Sequence, residues 1–238
     1  MKITDVLARR TDLSTFLVHL TRKTDGETRA LDNLVSIIED NMIEARTPFG
    51  PAVQLLTQAG QPTNTQRCVC FTETPLEHVS LLAQPIDGRD IEFEPYGVAI
   101  TRKQGRKEGV NPVWYLDMTP GHDWLTNSVA LVVKEAIARG AYTDSPMACL
   151  TPFMDWMGDW GNGNRKEFWW EREWRHHGDF TLPSSFIVLA PEDKHEDLFP
   201  VLEFASPATC VSYVDPAWSL EQIIGRLAGF ETKDLGPF

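Results

Sequence analysis

Several short runs of mostly apolar residues along the chain predict buried β-strands. In residues 16–21, Leu17, His19 and Thr21 fall on one face, and the residues between them are apolar. Similar runs follow at 67–72, 97–101, 112–116, 186–190 and 209–213. Strands are therefore expected in both the first and the last third of the chain.

A second pattern, with apolar residues three and four positions apart, predicts amphipathic helices. Leu31, Leu34 and Ile38 mark a helix over about 30–43, and a helical segment is expected over about 120–160. Residues 46–66 carry three prolines and two glycines, so a long loop is expected there. The basic stretch 102–107 is expected to be an exposed loop. Strands on both sides of a block of helices indicate an α+β fold rather than a regular βαβ array.

Length and charge narrow the class of protein. A chain of 238 residues can bury one sizeable core, so a single domain over residues 1–238 is expected. The formal net charge is −12, and so acidic a chain is not expected to bind nucleic acid broadly through its phosphates. No apolar run is long enough to span a bilayer and no signal peptide opens the sequence, so a cytoplasmic protein with no membrane partner is expected.

The cysteine and histidine positions favour no metal site. Cys68 and Cys70 lie two residues apart, which differs from the Cys-x-x-Cys spacing of zinc sites and redox pairs, so they are expected to be buried thiols. His176, His177 and His195 have no cysteine or carboxylate at a recognised ligand spacing, and no bound metal is expected. The sequence also lacks a P-loop, a dinucleotide-binding glycine motif and a nucleophile elbow.

His19 is the first candidate for binding chemistry. A polar ring within an apolar strand needs a hydrogen-bond partner, so His19 is either a satisfied core histidine or a ligand-binding residue. Thr21 on the same face and Arg22 beside it add donors that suit a ribose or a phosphate. Glu73 sits where a strand ends and a helix begins. It is either held by the helix N-terminus or placed on the rim of a cleft.

The densest group of aromatic and charged side chains lies at 168–175. We expect a short helix or turn up to Glu171 that passes into a strand, because aromatic residues favour strands. In an extended chain, Glu171, Glu173 and Arg175 share one face. Two carboxylates there raise each other's pKa, and the guanidinium opposes that shift. The group is either an ion-pair lattice packed on indoles or a catalytic carboxylate held by an arginine.

Several of these segments resemble known families. LVHLTR (17–22), NLVSII (33–38) and IEA (43–45) are similar to the opening of the DarT-type ADP-ribosyltransferases. CFTETPL (70–76), YGVA (96–99), PVWY (112–115) and WEREWR (170–175) are similar to the AbiGi family of abortive phage-resistance proteins. The resemblance covers about residues 16–190. It implies an ADP-ribosyltransferase-like fold, with a split, mixed or antiparallel sheet flanked by helices.

The same resemblance implies a bacterial anti-phage protein that takes NAD as substrate and modifies a nucleic acid or a protein. His19 is then expected to contact a ribose of NAD, and Phe71 and Tyr96 to stack on nicotinamide. Glu173 is the expected catalytic carboxylate, with Glu171 as the second choice. Expulsion of nicotinamide leaves an oxocarbenium-like centre, which a nearby carboxylate stabilises electrostatically.

Two further functions remain open at this point. The name AbiGi is given to one partner of a two-gene defence system. The chain is therefore alternatively a non-catalytic antitoxin or sensor, and its partner is a toxin, an antitoxin or a phage protein. The other alternative is a nuclease-like defence effector that uses the Glu and Arg face. Consumption of NAD separates the transferase from both.

Overall fold

The computed structural model describes residues 11–23, 28–86, 89, 91–159, 161, 165–205 and 210–230. The described chain is mixed α and β, with helices and a sheet of both parallel and antiparallel strands, as the sequence pattern predicts. Within these residues, no helix combines the length and the apolar character that crossing a bilayer requires.

The described residues form twelve β-strands and eight α-helices. The strands are β1 (Phe16–Leu20), β2 (Met42–Ile43), β3 (Cys68–Thr72), β4 (Gly97–Thr101), β5 (Asn111–Pro112), β6 (Trp114–Asp117), β7 (Met154–Asp159), β8 (Arg165–Lys166), β9 (Glu173–His177), β10 (Phe180–Thr181), β11 (Ser185–Leu189) and β12 (Cys210–Val214). The α-helices are α1 (Ala30–Glu39), α2 (Pro51–Gln58), α3 (Val79–Leu82), α4 (Arg102–Lys107), α5 (Trp124–Ala138), α6 (Pro146–Leu150), α7 (His195–Ala205) and α8 (Leu220–Leu227). Short 3-10 helices lie at Asn64–Gln66, Leu76–His78, Thr151–Phe153, Phe168–Glu171 and Glu192–Lys194.

Local structure departs from the sequence prediction at three places. The predicted loop at 46–66 contains α2, which has Pro51 in its first turn, where a proline sacrifices no helical hydrogen bond. The basic stretch 102–107 is helical in α4. The helical segment expected at 120–160 holds α5 and α6 but stops at Leu150. Pro152 has no N–H to continue that helix, and the 3-10 helix Thr151–Phe153 leads into β7.

The chain folds into two compact units, each built from separate stretches of sequence. The first comprises Met1–Ile43, Phe71–Gly105 and Thr181–Phe238, and the second comprises Glu44–Cys70 and Arg106–Phe180. The expectation of a single domain over residues 1–238 stays a prediction.

The first unit contains a mixed sheet in which β12, β11, β4 and β1 are neighbours in that order. β1 runs antiparallel to β4, with His19 opposite Val98 and Leu20 opposite Gly97. β4 is antiparallel to β11, and β11 is parallel to β12. On the other side of β1, Val18 is opposite Thr72 at the end of β3.

The core of the first unit lies against this sheet. One apolar cluster comprises Val18, Leu20, Leu76, Val79, Leu82, Ala99, Ile187, Leu189, Val214, Trp218 and Ile223. On the opposite face of β1, Leu17 is fully buried and His19 is partly exposed. Each aliphatic side chain buried in this way contributes about 1.5–3 kcal/mol, so β1 is a strongly held platform for His19.

Gly97 marks a very close approach of β4 to β1. A β-carbon added to Gly97 would overlap the His19 carbonyl oxygen and lie 3.0 Å from the Leu20 Cα. We expect Gly97→Ala to lower the free energy of unfolding by about 3 kcal/mol, because two backbones rather than flexible side chains must move. Urea unfolding of both proteins measures the change. Gly60→Ala is the comparison, since Gly60 has φ +65° but nothing within 4 Å, and should lose only about 1–2 kcal/mol. Equal losses in the two variants would contradict this explanation.

The second unit contains two small groups of strands. β5 pairs with β9 in antiparallel register, with Asn111 opposite Arg175 and Pro112 opposite Trp174. β6 and β7 are parallel, and β8 runs antiparallel to β7. This arrangement places the charged residues of β7, β8 and β9 within one unit.

Helices α2 and α5 enclose the apolar core of the second unit. Its buried members are Ala52, Leu56, Val133, Tyr142 and Ala148. Beside it, Gln66 Nε2 donates to the Tyr142 hydroxyl at 2.9 Å, and the Thr151 hydroxyl donates to Gln66 Oε1 at 2.9 Å. Tyr142 and Thr151 also share a hydrogen bond of 2.7 Å. The three buried polar groups satisfy one another, which removes the cost of taking them out of water.

Candidate functional site

His19, the histidine predicted to bind a ligand, lies on β1 beside Phe71. The two rings meet edge to face, with centroids 5.9 Å apart. Phe71 is only 2% exposed, so its ring is occupied by protein contacts. The structure therefore brings together two of the predicted NAD-binding residues, with His19 as the more exposed of the pair.

Thr21 and Tyr96 are also brought together, but through the backbone. The Thr21 N–H donates to the Tyr96 carbonyl at 2.8 Å, and the Thr21 hydroxyl donates to the Ala30 carbonyl at 2.8 Å. This threonine is buried and links the end of β1 to the start of α1. Burial raises the pKa of the Tyr96 hydroxyl. Arg22 is exposed next to them, and its carbonyl accepts a 2.8 Å hydrogen bond from Asn33 Nδ2.

Glu73 lies just beyond β3 and is 3% exposed. Its carboxylate pairs with the Arg102 guanidinium of α4. The backbone N–H of Arg102 donates to the Thr15 carbonyl at 2.7 Å, so the arginine is fixed to the start of β1 as well. A buried carboxylate requires such a partner. The ion pair with Arg102 compensates the burial of the Glu73 carboxylate.

The segment at 168–175 changes conformation where the sequence predicts. Phe168–Glu171 is a 3-10 helix, Arg172 adopts left-handed angles (φ 50°, ψ 53°), and β9 begins at Glu173. Glu171 therefore precedes the strand and does not share the strand face of Glu173 and Arg175, as an extended segment would require. The prediction of a three-residue charged face holds only for Glu173 and Arg175.

Glu173 and Arg175 belong to a buried charge network in the second unit. Arg175 Nε and Nη2 donate to the two oxygens of Glu173 at 2.8 and 3.0 Å. Arg175 Nη2 also donates to Asp155 Oδ2 at 2.6 Å, and Lys166 Nζ donates to Asp155 Oδ1 at 2.7 Å. Arg175 Nη1 reaches the carbonyls of Pro152 and Met154 at 3.0 and 3.1 Å. A planar guanidinium suits this set of acceptors, because its donors form a fixed fork.

The network sets the protonation of its members. Burial by itself would raise the pKa of Glu173, but the charge and hydrogen bonds of Arg175 outweigh it, and the pKa is lowered. Burial by itself would lower the pKa of Arg175. Nearby negative charges, that of Glu173 first, outweigh burial, so the pKa is raised. The Glu173 side chain is 18% exposed, so a fixed negative charge sits in a largely shielded position.

Two uncharged groups complete the surroundings of Glu173. Its backbone N–H donates to the Tyr115 hydroxyl at 3.3 Å, and burial, with the Glu173 charge next, raises the pKa of that phenol. The pKa of Cys70 is also raised, chiefly by the hydrogen bond with Cys68 and by burial. The two sulfur atoms are 3.9 Å apart, and both are thiols outside any disulfide. These neighbours are neutral, so Arg175 and Lys166 supply the positive charge near Glu173.

Three members of this site were not predicted from the sequence: Asp155, Lys166 and Tyr115. Asp155 was missed because its segment was taken for the end of a helix, whereas the alternation of Met154, Asp155 and Trp156 is also that of a strand. Lys166 follows a glycine-rich stretch of sequence. The antiparallel pairing of β8 with β7 brings it to Asp155.

The lowered pKa of Glu173 makes stability depend on pH. A carboxyl with a lowered folded-state pKa stabilises the protein above its unfolded pKa, and that contribution is lost as pH falls through the folded value. The neutral amide of Glu173→Gln resembles the protonated acid. We therefore expect wild type to be the more stable at pH 7, with the gap closing as pH falls below about 4.5, the ordinary pKa. Urea midpoints between pH 7 and pH 3 measure this, and a gap that is constant with pH would refute it.

The predicted site residues fall into two groups, one in each unit. His19, Thr21, Arg22, Phe71, Glu73 and Tyr96 lie in the first unit, and Glu171, Glu173 and Arg175 lie in the second. Among the described residues, no three His, Cys, Asp or Glu side chains are grouped so that they could hold a metal ion. No protein-family model matches the chain, and neither does any curated protein or solved structure.

Proposed function

We propose that this chain is an ADP-ribosyltransferase-like protein that takes NAD as its substrate. The observation that carries the proposal is the largely shielded, ionised carboxylate of Glu173, which accepts hydrogen bonds from Nε and Nη2 of Arg175. Cleavage of the bond between nicotinamide and ribose sends the bonding electron pair to the nicotinamide nitrogen. The ribose carbon becomes cationic, and a fixed carboxylate nearby lowers the energy of that state.

The shielded position strengthens this effect. Opposite charges attract more strongly where water is largely excluded than at the protein surface. Arg175 and Asp155 would act as positioning residues, since they hold the Glu173 carboxylate in one orientation. Lys166 would support Asp155 in the same way.

The other half of the proposal concerns the first unit. His19 is partly exposed on a rigid strand, and its ring is oriented by Phe71. We assign it to a ribose of NAD. Arg22 follows β1 in the sequence, and the Tyr96 carbonyl accepts the Thr21 N–H at the end of β1. Thr21 and Glu73 would support this region through their contacts with the backbone and Arg102. In this proposal the fold is ADP-ribosyltransferase-like, His19 is assigned to NAD binding and Glu173 to the cleavage step.

The biological setting belongs to the same proposal. Resemblance to the AbiGi and DarT-type families supports a cytoplasmic role in bacterial defence against phage, with a nucleic acid or a protein as the acceptor of ADP-ribose. The net charge of −12 favours a local rather than a broad nucleic-acid contact.

Calorimetric titration of the full chain with NAD tests the binding half. We expect wild type to bind NAD with a dissociation constant below about 1 mM. The His19→Ala variant should bind NAD about tenfold more weakly. His78→Ala is the matched control, because this histidine is in the same unit with a side chain that is 53% exposed. It should leave the affinity unchanged. Failure of wild type to bind NAD would overturn the proposal, and equal losses in both variants would overturn the assignment of His19.

A second function, a non-catalytic antitoxin or sensor of the same fold, is favoured by one observation. Both oxygens of Glu173 already accept hydrogen bonds from Arg175, and Glu73 forms an ion pair with Arg102. Carboxylates used in this way stabilise a fold. This function predicts a stable complex with a toxin or phage protein and no release of nicotinamide.

A further inference from the structure

An open groove of about 480 Å³ lies in the second unit. Its lining residues are Tyr115, Asp117, Met157, Gly158, Glu167 and Trp169. The volume is within the range of sites that hold small molecules. The groove combines two aromatic rings and a thioether with two carboxylates, and no step of the proposed function uses it.

The aromatic walls of the groove are held in place by hydrogen bonds. Trp169 Nε1 donates to Glu167 Oε2 at 3.1 Å, and Arg165 Nε donates to Glu167 Oε1 at 2.9 Å. On the other side, the Tyr115 hydroxyl accepts the Glu173 N–H at 3.3 Å. The indole and the phenol are therefore oriented before any ligand arrives, which reduces the entropy lost on binding.

Asp117 is fixed in a similar way. Its Oδ1 accepts the backbone N–H of Thr119 at 2.8 Å, and the hydrogen bonds from Thr119 chiefly lower the pKa of Asp117. Gly158 has φ +97°, and a β-carbon there would overlap both Asp117 Oδ1 and Thr119 Oγ1. Only glycine allows the backbone and the carboxylate to come so close, so the floor of the groove depends on it.

The charges identify the kind of ligand. Arg165 neutralises Glu167, and Asp117 therefore carries the net negative charge of the groove. Glu167 accepts hydrogen bonds at both oxygens, and Asp117 accepts one at Oδ1. Aromatic faces beside a negative charge attract alkylated ammonium ions, which have little or no N–H to satisfy.

From these contacts we propose that the groove is a binding site for an alkylated organic ammonium ion. The cation lies against Trp169 and Tyr115, and Asp117 balances its charge. This inference goes beyond the proposed function, because the site requires neither NAD nor a reaction.

The experiment compares choline with 3,3-dimethylbutan-1-ol, which has the same shape and no charge. Both are titrated into the full chain by calorimetry under identical conditions. We expect choline to bind at least about tenfold more tightly than the alcohol. Equal affinities, or choline binding weaker than about 50 mM, would overturn the proposal.

Two variants locate the site. Trp169→Ala removes a wall and Asp117→Asn removes the charge, and each should weaken choline binding about tenfold. The matched controls are Trp124→Ala, an indole that is 73% exposed in the same unit, and Asp144→Asn, an exposed carboxylate. Both controls should bind choline as wild type does. If the control variants lose as much choline affinity as the groove variants, or if the groove variants lose none, choline binds elsewhere and the assignment is overturned.

Discussion

Replacing Arg175 with methionine is expected to lower the free energy of unfolding by about 3–5 kcal/mol. The side chain is 2% exposed and pairs with both Glu173 and Asp155. Its removal leaves two carboxylates in a site that is largely shielded from water, with Lys166 as the remaining nearby cation of the network. The carbonyls of Pro152 and Met154 also lose their donor. Urea unfolding of the purified variant measures the loss.

Two comparisons separate this effect from the loss of any arginine. Arg139→Met breaks a pair with Glu135 in which the arginine is 76% exposed, and it should cost about 0–1 kcal/mol. Combining Arg175→Met with Glu173→Gln removes the uncompensated carboxylate and keeps the pair of Asp155 with Lys166, so stability should partly return. An Arg175 variant as stable as the Arg139 variant would show that the network contributes little to the fold.

Replacing Glu173 with glutamine is expected to reduce NAD turnover at least several hundredfold. The amide keeps the shape of the side chain but removes the negative charge that would stabilise the ribosyl cation. Loss of one such interaction at an organised site corresponds to about 3–4 kcal/mol in the activation barrier. The measurement is the initial rate of nicotinamide release, taken beside a melting curve for each protein.

Glu135→Gln is the control for this prediction, because it removes an exposed carboxylate from the same unit. Its turnover should equal that of wild type. Glu171→Gln tests the second choice, and it should have a small effect because Glu171 lies outside β9. If the Glu171 variant loses turnover and the folded Glu173 variant does not, the catalytic role belongs to Glu171.

The strand that carries His19 could be predicted because its signal is local. Residues 16–20 are apolar except for His19, and burial of both strand faces follows from that composition. The change from helix to strand near Glu171 was also predictable, since the aromatic and charged residues that follow favour extended structure. The left-handed turn at Arg172 was not predictable. It is what separates Glu171 from the charged face.

The residues that could not be predicted depend on contacts distant in sequence. Asp155 meets Arg175 across 20 residues, and Glu73 meets Arg102 across 29. Pro152 ends the preceding helix and lets the chain enter β7, although the apolar spacing before it favours a helix. Helix α2 lies in a segment whose three prolines and many amides favour a loop, although Pro51 suits the first turn of a helix.

Release of nicotinamide from NAD by the wild-type chain is the measurement that tests the proposed activity most directly. The purified protein is incubated with NAD alone, and then with DNA, RNA or a protein mixture as acceptor, beside the same protein after heat denaturation. A transferase should release nicotinamide faster than the denatured control under at least one of these conditions, and Glu173→Gln should abolish the difference. If NAD binds to the chain but no condition raises release above the control, the transferase proposal is contradicted and the non-catalytic partner is the better description.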